Sequence, residues 1–214
     1  MNEKERIKLL LKRLAEFYPE AKTGLKYNNS FQLLVATILS AQTTDEQVNK
    51  ITASLFKAVP SVDVLSRMKP SELEPFIKKC GLYHHKSRYL IETARILVEQ
   101  YNSLVPGELE ELVKLPGVGR KTANIIISSA YGKPAIAVDT HVFRVSKRLG
   151  LANGKNVNLV EKQLEKVIPI DQWSATHHRL IAHGRTFCKA RNPHCSSCFL
   201  VDLCMHIRER GVAR

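Results

Sequence analysis

Apolar residues recur at helical spacing along almost the whole chain. Ile7, Leu10, Leu11 and Leu14 form one stripe, Tyr89, Leu90, Thr93, Ala94, Leu97 and Tyr101 a second, and Trp173, His177, Leu180 and Ile181 a third. Start and stop signals separate them. Ser30 precedes the run from Phe31 to Ala41, and Thr44 with Gln47 three residues on has the form of a capping box opening a helix from Asp45 to Phe56. Pro60, Pro70, Pro106 and Pro116 punctuate shorter helices around 61–68, 71–79 and 107–114. The strand candidate, Ala135 to Val138, is four residues long and has no partner run. The predicted class is therefore all-α, with roughly ten helices and no fixed-period repeat.

A helix must end at Gly132-Lys133-Pro134, which predicts a boundary there. Charge changes at the same place. The 214 residues hold 33 Lys and Arg against 20 Asp and Glu, a net charge of +13 that favours a polyanionic partner. Residues 1–132 contribute 19 basic and 14 acidic residues, residues 133–214 contribute 14 and 6, so the second part is the more densely basic. The longest nearly apolar run, Leu33 to Ala41, is nine residues, far short of a bilayer span. The N-terminus, Met1-Asn2-Glu3-Lys4-Glu5-Arg6, has no apolar segment of the kind a secretory signal needs. The expectation is a soluble intracellular protein without a membrane partner.

Four of the five cysteines, Cys188, Cys195, Cys198 and Cys204, fall in the last 27 residues, while Cys80 stands alone. A secreted disulfide framework would spread pairs through the chain, so the cluster reads as a metal site and Cys80 as a buried thiol. The spacing C-x6-C-x2-C-x5-C suits four thiolates on tetrahedral zinc or on a [4Fe–4S] cluster; it is neither of the ferredoxin patterns, so from the residues alone zinc is the default.

The segment Leu115-Pro116-Gly117-Val118-Gly119-Arg120-Lys121-Thr122 lies between two predicted helices. Its glycines permit close backbone approach, and the N–H groups opening the second helix would face a phosphate with the helix dipole behind them. A plain Pro-Gly connection between antiparallel helices would use the same residues. Lys121 would stand in the first turn of that helix beside Arg120. A positive helix end, a cationic neighbour and desolvation all disfavour a protonated amine and so favour a nucleophile; an ordinary phosphate-contacting lysine is the alternative. Asp139 precedes a helical pattern running to Leu149, where it would serve as an N-cap, as a carboxylate facing substrate, or as both.

Taken together, Leu115 to Asn124, Val138-Asp139-Thr140-His141, Ser40-Ala41-Gln42-Thr43-Thr44-Asp45 and the four C-terminal cysteines resemble the endonuclease III family, within the helix-hairpin-helix and Gly/Pro-Asp superfamily of DNA glycosylases. The resemblance covers essentially the whole chain. It implies two helical domains with a DNA cleft between them. Residues 23–132 would form a helical barrel with a helix-hairpin-helix at about 107–131; residues 1–22 and 133–214 would form an iron–sulfur cluster domain with its loop at 188–204. It also implies a bifunctional enzyme that removes oxidised pyrimidines from duplex DNA and cleaves the abasic site by β-elimination. Lys121 matches the family's Schiff-base lysine, Asp139 its catalytic aspartate, and the four cysteines its [4Fe–4S] ligands. The partner implied is double-stranded DNA containing damaged bases or abasic sites, met by a monomer in the cytoplasm at a prokaryotic nucleoid.

Since C1′ lies inside a duplex, the damaged nucleotide must be flipped out and its place filled. The resemblance assigns Gln42 and Leu82 as fillers, a polar residue to bond the orphaned base and an apolar one to wedge the stack. Gly117, Val118, Gly119 and Arg120 of the hairpin, with Lys189 and Arg191 of the cluster loop, would meet phosphates. Competing readings are a pyrimidine-photodimer glycosylase using the same two catalytic residues, and a non-catalytic DNA-binding module built on structural zinc. His141 is left without a role, and the pairs His84-His85 and His177-His178 are read as solvated or packed.

Overall fold

Six helices start where a short polar side chain accepts a backbone N–H, and these caps set boundaries that periodicity leaves open. The computed structural model describes residues 1–209. Helix α1 (Glu3–Phe17) begins with a reciprocal box in which Asn2 accepts the Glu5 N–H at 2.9 Å and Glu5 accepts the Asn2 N–H at 3.0 Å. Helix α2 (Ser30–Leu39) is capped by Asn29 and not by Ser30, because Asn29 is the extended residue and its Oδ1 reaches the Gln32 N–H at 2.9 Å. Helix α3 (Asp45–Ala58) keeps the forward half of the expected capping box, Thr44 Oγ1 accepting from Gln47 N at 3.3 Å. There follow α4 (Val62–Arg67), α5 (Pro70–Ile77), α6 (Tyr83–Tyr101), α7 (Leu109–Leu112), α8 (Arg120–Tyr131), α9 (Thr140–Leu149), α10 (Val157–Val167), α11 (Trp173–Thr186) and α12 (Met205–Glu209). Two 3-10 turns, Ile170–Gln172 and Val201–Leu203, bring the described helical elements above the ten expected.

Ala135 to Val138 forms no strand. All four residues are buried, and the carbonyl of Ala137 is taken by His177 Nδ1 at 2.7 Å, so a side chain replaces the missing strand partner.

The chain divides into two compact units, Met1–Thr23 with Pro134–Arg214, and Gly24–Lys133. In the inserted unit α2 is apolar nearly all round, and Leu33 to Leu39 are all buried, so it is the central helix, packed by α3, α6 and α8. The stripe on α6 buries Leu90, Thr93, Ala94 and Leu97, while Tyr89 is exposed at its edge. In the discontinuous unit Leu10, Leu11 and Leu14 of α1 share a core with Val142 and Val145 of α9 and Leu180 of α11. Arg6 is buried in that core's edge. Its guanidinium donates to the carbonyls of Leu149 at 2.7 Å, Gly150 at 2.9 Å and Leu203 at 3.0 Å, satisfying the C-terminal end of α9 from the first helix.

Candidate nucleic-acid interface and cluster site

The hairpin turn of the inserted unit is held from beneath. Val118 turns inward, 5% exposed, and its amide bonds to the Leu115 carbonyl at 3.1 Å, so it anchors the turn and offers neither side chain nor amide to a ligand. Thr93 of α6 donates to the Pro116 carbonyl at 2.9 Å. Gly117 has φ +75°, and a Cβ there would lie 3.2 Å from Tyr89. Gly119 differs from it. Its φ of −87° suits any residue and a Cβ would meet nothing within 4 Å, so the glycine leaves open space at the N-terminus of α8. No side chain caps this helix, whose first turn carries Arg120 and Lys121, both exposed. The desolvation expected around Lys121 therefore has to come from whatever is laid over it.

Two further loops of this unit lie side by side. Gln42 and Leu82 both occupy the left-handed region, with φ of 57° and 60°, and both side chains are exposed, Leu82 to 57%. Leu82 is thus not a core leucine. A Cβ on Gly81 would stand 3.7 Å from the Gln42 carbonyl, which brings the loops together. Non-glycine residues held in this region carry strain of about 1–2 kcal/mol each. The neighbouring histidines do not gather as ligands. His84 pairs with Glu74 at 2.9 Å, and His85 lies tilted beside Tyr89.

In the other unit Asp139 is the N-cap of α9, its Oδ1 accepting the Val142 N–H at 2.8 Å. The same carboxylate keeps Oδ2 outside that bond. His141, two residues on, is packed where α9 meets Gly184 of α11, with Nδ1 3.2 Å from Arg144. Burial lowers its pKa against the opposing pull of Asp139, which favours the neutral ring.

The four clustered cysteines line one cavity together with Arg148, His183 and Phe187. Among the described residues no group of three or more His, Cys, Asp or Glu side chains converges on a single metal ion. Four thiolates are the donor set of an iron–sulfur cluster as well as of tetrahedral zinc. Burial pushes the Cys198 thiol up to about 11, so a group that takes it as thiolate must supply positive charge. Sequence reasoning missed the surrounding cations and donors. Arg148 donates to the carbonyls of Lys189 at 2.7 Å and Ala190 at 3.2 Å, and reaches Cys188 Sγ at 3.6 Å. His183, held neutral by burial that lowers its pKa to about 4, places Nε2 3.7 Å from Cys198 Sγ. Lys189 and Arg191 are exposed on the loop so fixed. Lone Cys80 is a buried thiol, 3% exposed, whose pKa burial raises.

Lys86 was also missed. It is 4% exposed, and its ammonium donates to Leu39 O at 2.9 Å, Ala41 O at 2.6 Å and Thr43 Oγ1 at 3.4 Å. Its position four residues before Leu90, on the buried stripe of α6, was the available signal.

Comparison with known proteins agrees over the whole length. The model of the HhH-GPD superfamily of base excision DNA repair proteins matches residues 35–170, and that of the iron-sulfur binding domain of endonuclease III matches residues 188–204. Endonuclease III of Bacillus subtilis (strain 168) is 45% identical over 207 residues, 96% of this chain and 94% of that one. Endonuclease III of Escherichia coli (strain K12) is 46% identical over 204 residues, 95% and 96% of the two chains. Among solved structures, a trapped covalent endonuclease III–DNA intermediate superposes with a TM-score of 0.92 at 47% identity, over 99% of this chain and 100% of the other. A non-covalent endonuclease III–DNA complex gives the same TM-score at 46% identity, over the full length of both. With the hairpin, the capped aspartate and the thiol-lined cavity in place, these likenesses put the chain in the endonuclease III family of the HhH-GPD superfamily.

Proposed function

We propose that this chain excises oxidised pyrimidines from duplex DNA through a Schiff base on Lys121 and cleaves the abasic site by β-elimination, Asp139 assisting. Its membership makes it a base excision repair DNA glycosylase with AP lyase activity that holds a [4Fe–4S] cluster. The observation that supports the residue assignment is the N-terminus of α8, where Gly119 provides no side-chain cap: a phosphate bound there would bring the adjoining sugar towards Lys121, one residue into the helix. Neutral Lys121 Nζ attacks C1′ as the glycosidic bond breaks, and the base leaves with a proton. The sugar ring then opens, the C1′–O4′ bond breaking and O4′ taking a proton, and the imine so formed acidifies the C2′ protons; loss of one and departure of the 3′ phosphate cleave the strand. Asp139 Oδ2, free of the cap bond, stabilises positive charge developing on the sugar and assists proton transfer. Gln42 and Leu82 fill the place of the extruded nucleotide. Their exposure on adjacent strained loops supports that reading.

Cys188, Cys195, Cys198 and Cys204 are the residues that would hold the cluster. When bound, it supplies four iron–thiolate bonds that cross-link the loop carrying Lys189 and Arg191, which then meet phosphates. The substrate is duplex DNA carrying damaged bases or abasic sites, and the enzyme acts as a monomer in the cytoplasm, at the nucleoid. No helix among the described residues is long and apolar enough to cross a membrane.

Borohydride reduction on a duplex with a defined oxidised pyrimidine tests the proposal. Parent protein should give a covalent adduct, and Lys121→Gln should give none while still binding duplex. Full trapping by that variant removes Lys121 from its role. A parallel duplex with a pyrimidine photodimer separates the rival specificity, which predicts trapping there and not on the oxidised base.

A further inference from the structure

We propose that Lys86 is a positioning residue that locks the Gln42 loop and the Leu82 turn into one rigid insertion device. The inference rests on the reading of Gln42 and Leu82 as fillers. Three observations carry it. The Lys86 ammonium reaches acceptors on Ala41 and Thr43, on either side of Gln42, and on Leu39 at the end of α2. Its own backbone N–H closes the first turn of α6 on the Leu82 carbonyl at 3.0 Å. One residue therefore ties the segment before one filler and the segment after it to the residue that is the other filler.

The chemistry suits a clamp. An ammonium has three donors and here finds three acceptors, with two of them carbonyls at or just past the C-terminus of α2, where the helix dipole favours a cation. The side chain is too deeply buried to meet a phosphate, so its charge is spent inside the protein, unusually for a lysine in a DNA-binding chain. Both fillers are non-glycine residues in the left-handed region, a conformation that persists only where the surroundings over-determine it. A filler that swung freely would lose its ordering entropy on every insertion; a clamped one has lost it already.

The test uses the whole enzyme with an uncleavable tetrahydrofuran abasic analogue in a duplex, and the same duplex undamaged. Lys86→Met leaves the aliphatic stem and removes the donors. It should weaken binding to the analogue about tenfold and leave the undamaged duplex unaffected. Combined with Gln42→Ala, it should add little. In the free variant, hydrogen exchange of the amides at 41–43 should quicken. Equal loss on both duplexes, unchanged exchange, or full multiplication with the Gln42→Ala effect would each overturn the proposal. If Lys86→Met does not fold, Lys86→Gln, which keeps one amide donor, should show the same pattern at reduced size. Should Gln42→Ala and Leu82→Ala both keep full affinity for the analogue, the filler reading fails, and the exchange rates still decide whether Lys86 holds the loop.

Discussion

Helices α8 and α9 each begin beside a residue assigned to the chemistry, and they begin in opposite ways. At α8 the cap position is Gly119, which has no side chain with which to cap, and the assigned residue, Lys121, lies inside the helix. At α9 the cap is itself the assigned residue, Asp139, and one of its oxygens is already committed to Val142 N. An open helix end is a receptor for an anion brought by the ligand; a closed one is a way to fix a carboxylate in a single orientation. On the proposed assignment, the same local motif serves recognition in one unit and positioning in the other.

The largest effect should come from separating the two duties of Asp139. Asp139→Asn keeps the cap and removes the charge, so stability measured by thermal unfolding should change by less than about 0.5 kcal/mol. Single-turnover excision should fall about 100-fold, with a smaller loss on a preformed abasic site, which already offers an aldehyde to Lys121. Excision at the parent rate would reduce Asp139 to a cap and erase the contrast. Closing the open helix is the converse change. Gly119→Asp meets no steric obstacle and should leave stability level or a few tenths of a kcal/mol higher, while duplex affinity falls about tenfold because the new carboxylate takes the amides that phosphate would use. Unchanged affinity would mean that phosphate does not bind there. The smallest effect on activity should follow Gly117→Ala. Its left-handed backbone and the contact with Tyr89 should lower stability by about 1–2 kcal/mol in urea unfolding, with the folded fraction excising normally. The two glycines of one turn would then be assigned different tasks, one to the fold and one to the ligand.

What the sequence made legible was local. The stripe Ile7 to Leu14, the glycine turn and the cysteine spacing each announce themselves within a few residues, because periodicity, backbone freedom and ligand chemistry act at short range. Arg6, Lys86 and Arg148 were invisible for the opposite reason. Each looks like one more surface cation among 33 basic residues, and each is defined by carbonyls far along the chain, Lys86 by residues 47 and 45 positions away and Arg6 by one 197 away. Val118 shows the limit of motif reading as well, since a residue between two exposed glycines is the one that faces the core.

The bond from Arg6 to Leu203 also sets a schedule. Helix α1 belongs with residues synthesised long after it, while residues 24–133 form a unit of their own in between. At about 5–20 residues per second on the ribosome, α1 waits roughly 10–40 s before Leu203 exists to receive it. Until α9 and α11 have been made, Ile7, Leu10, Leu11 and Leu14 have no core to enter. The newborn chain therefore carries an amphipathic helix in search of a partner, and its apolar stripe is open to non-native contacts until the rest of its unit is made.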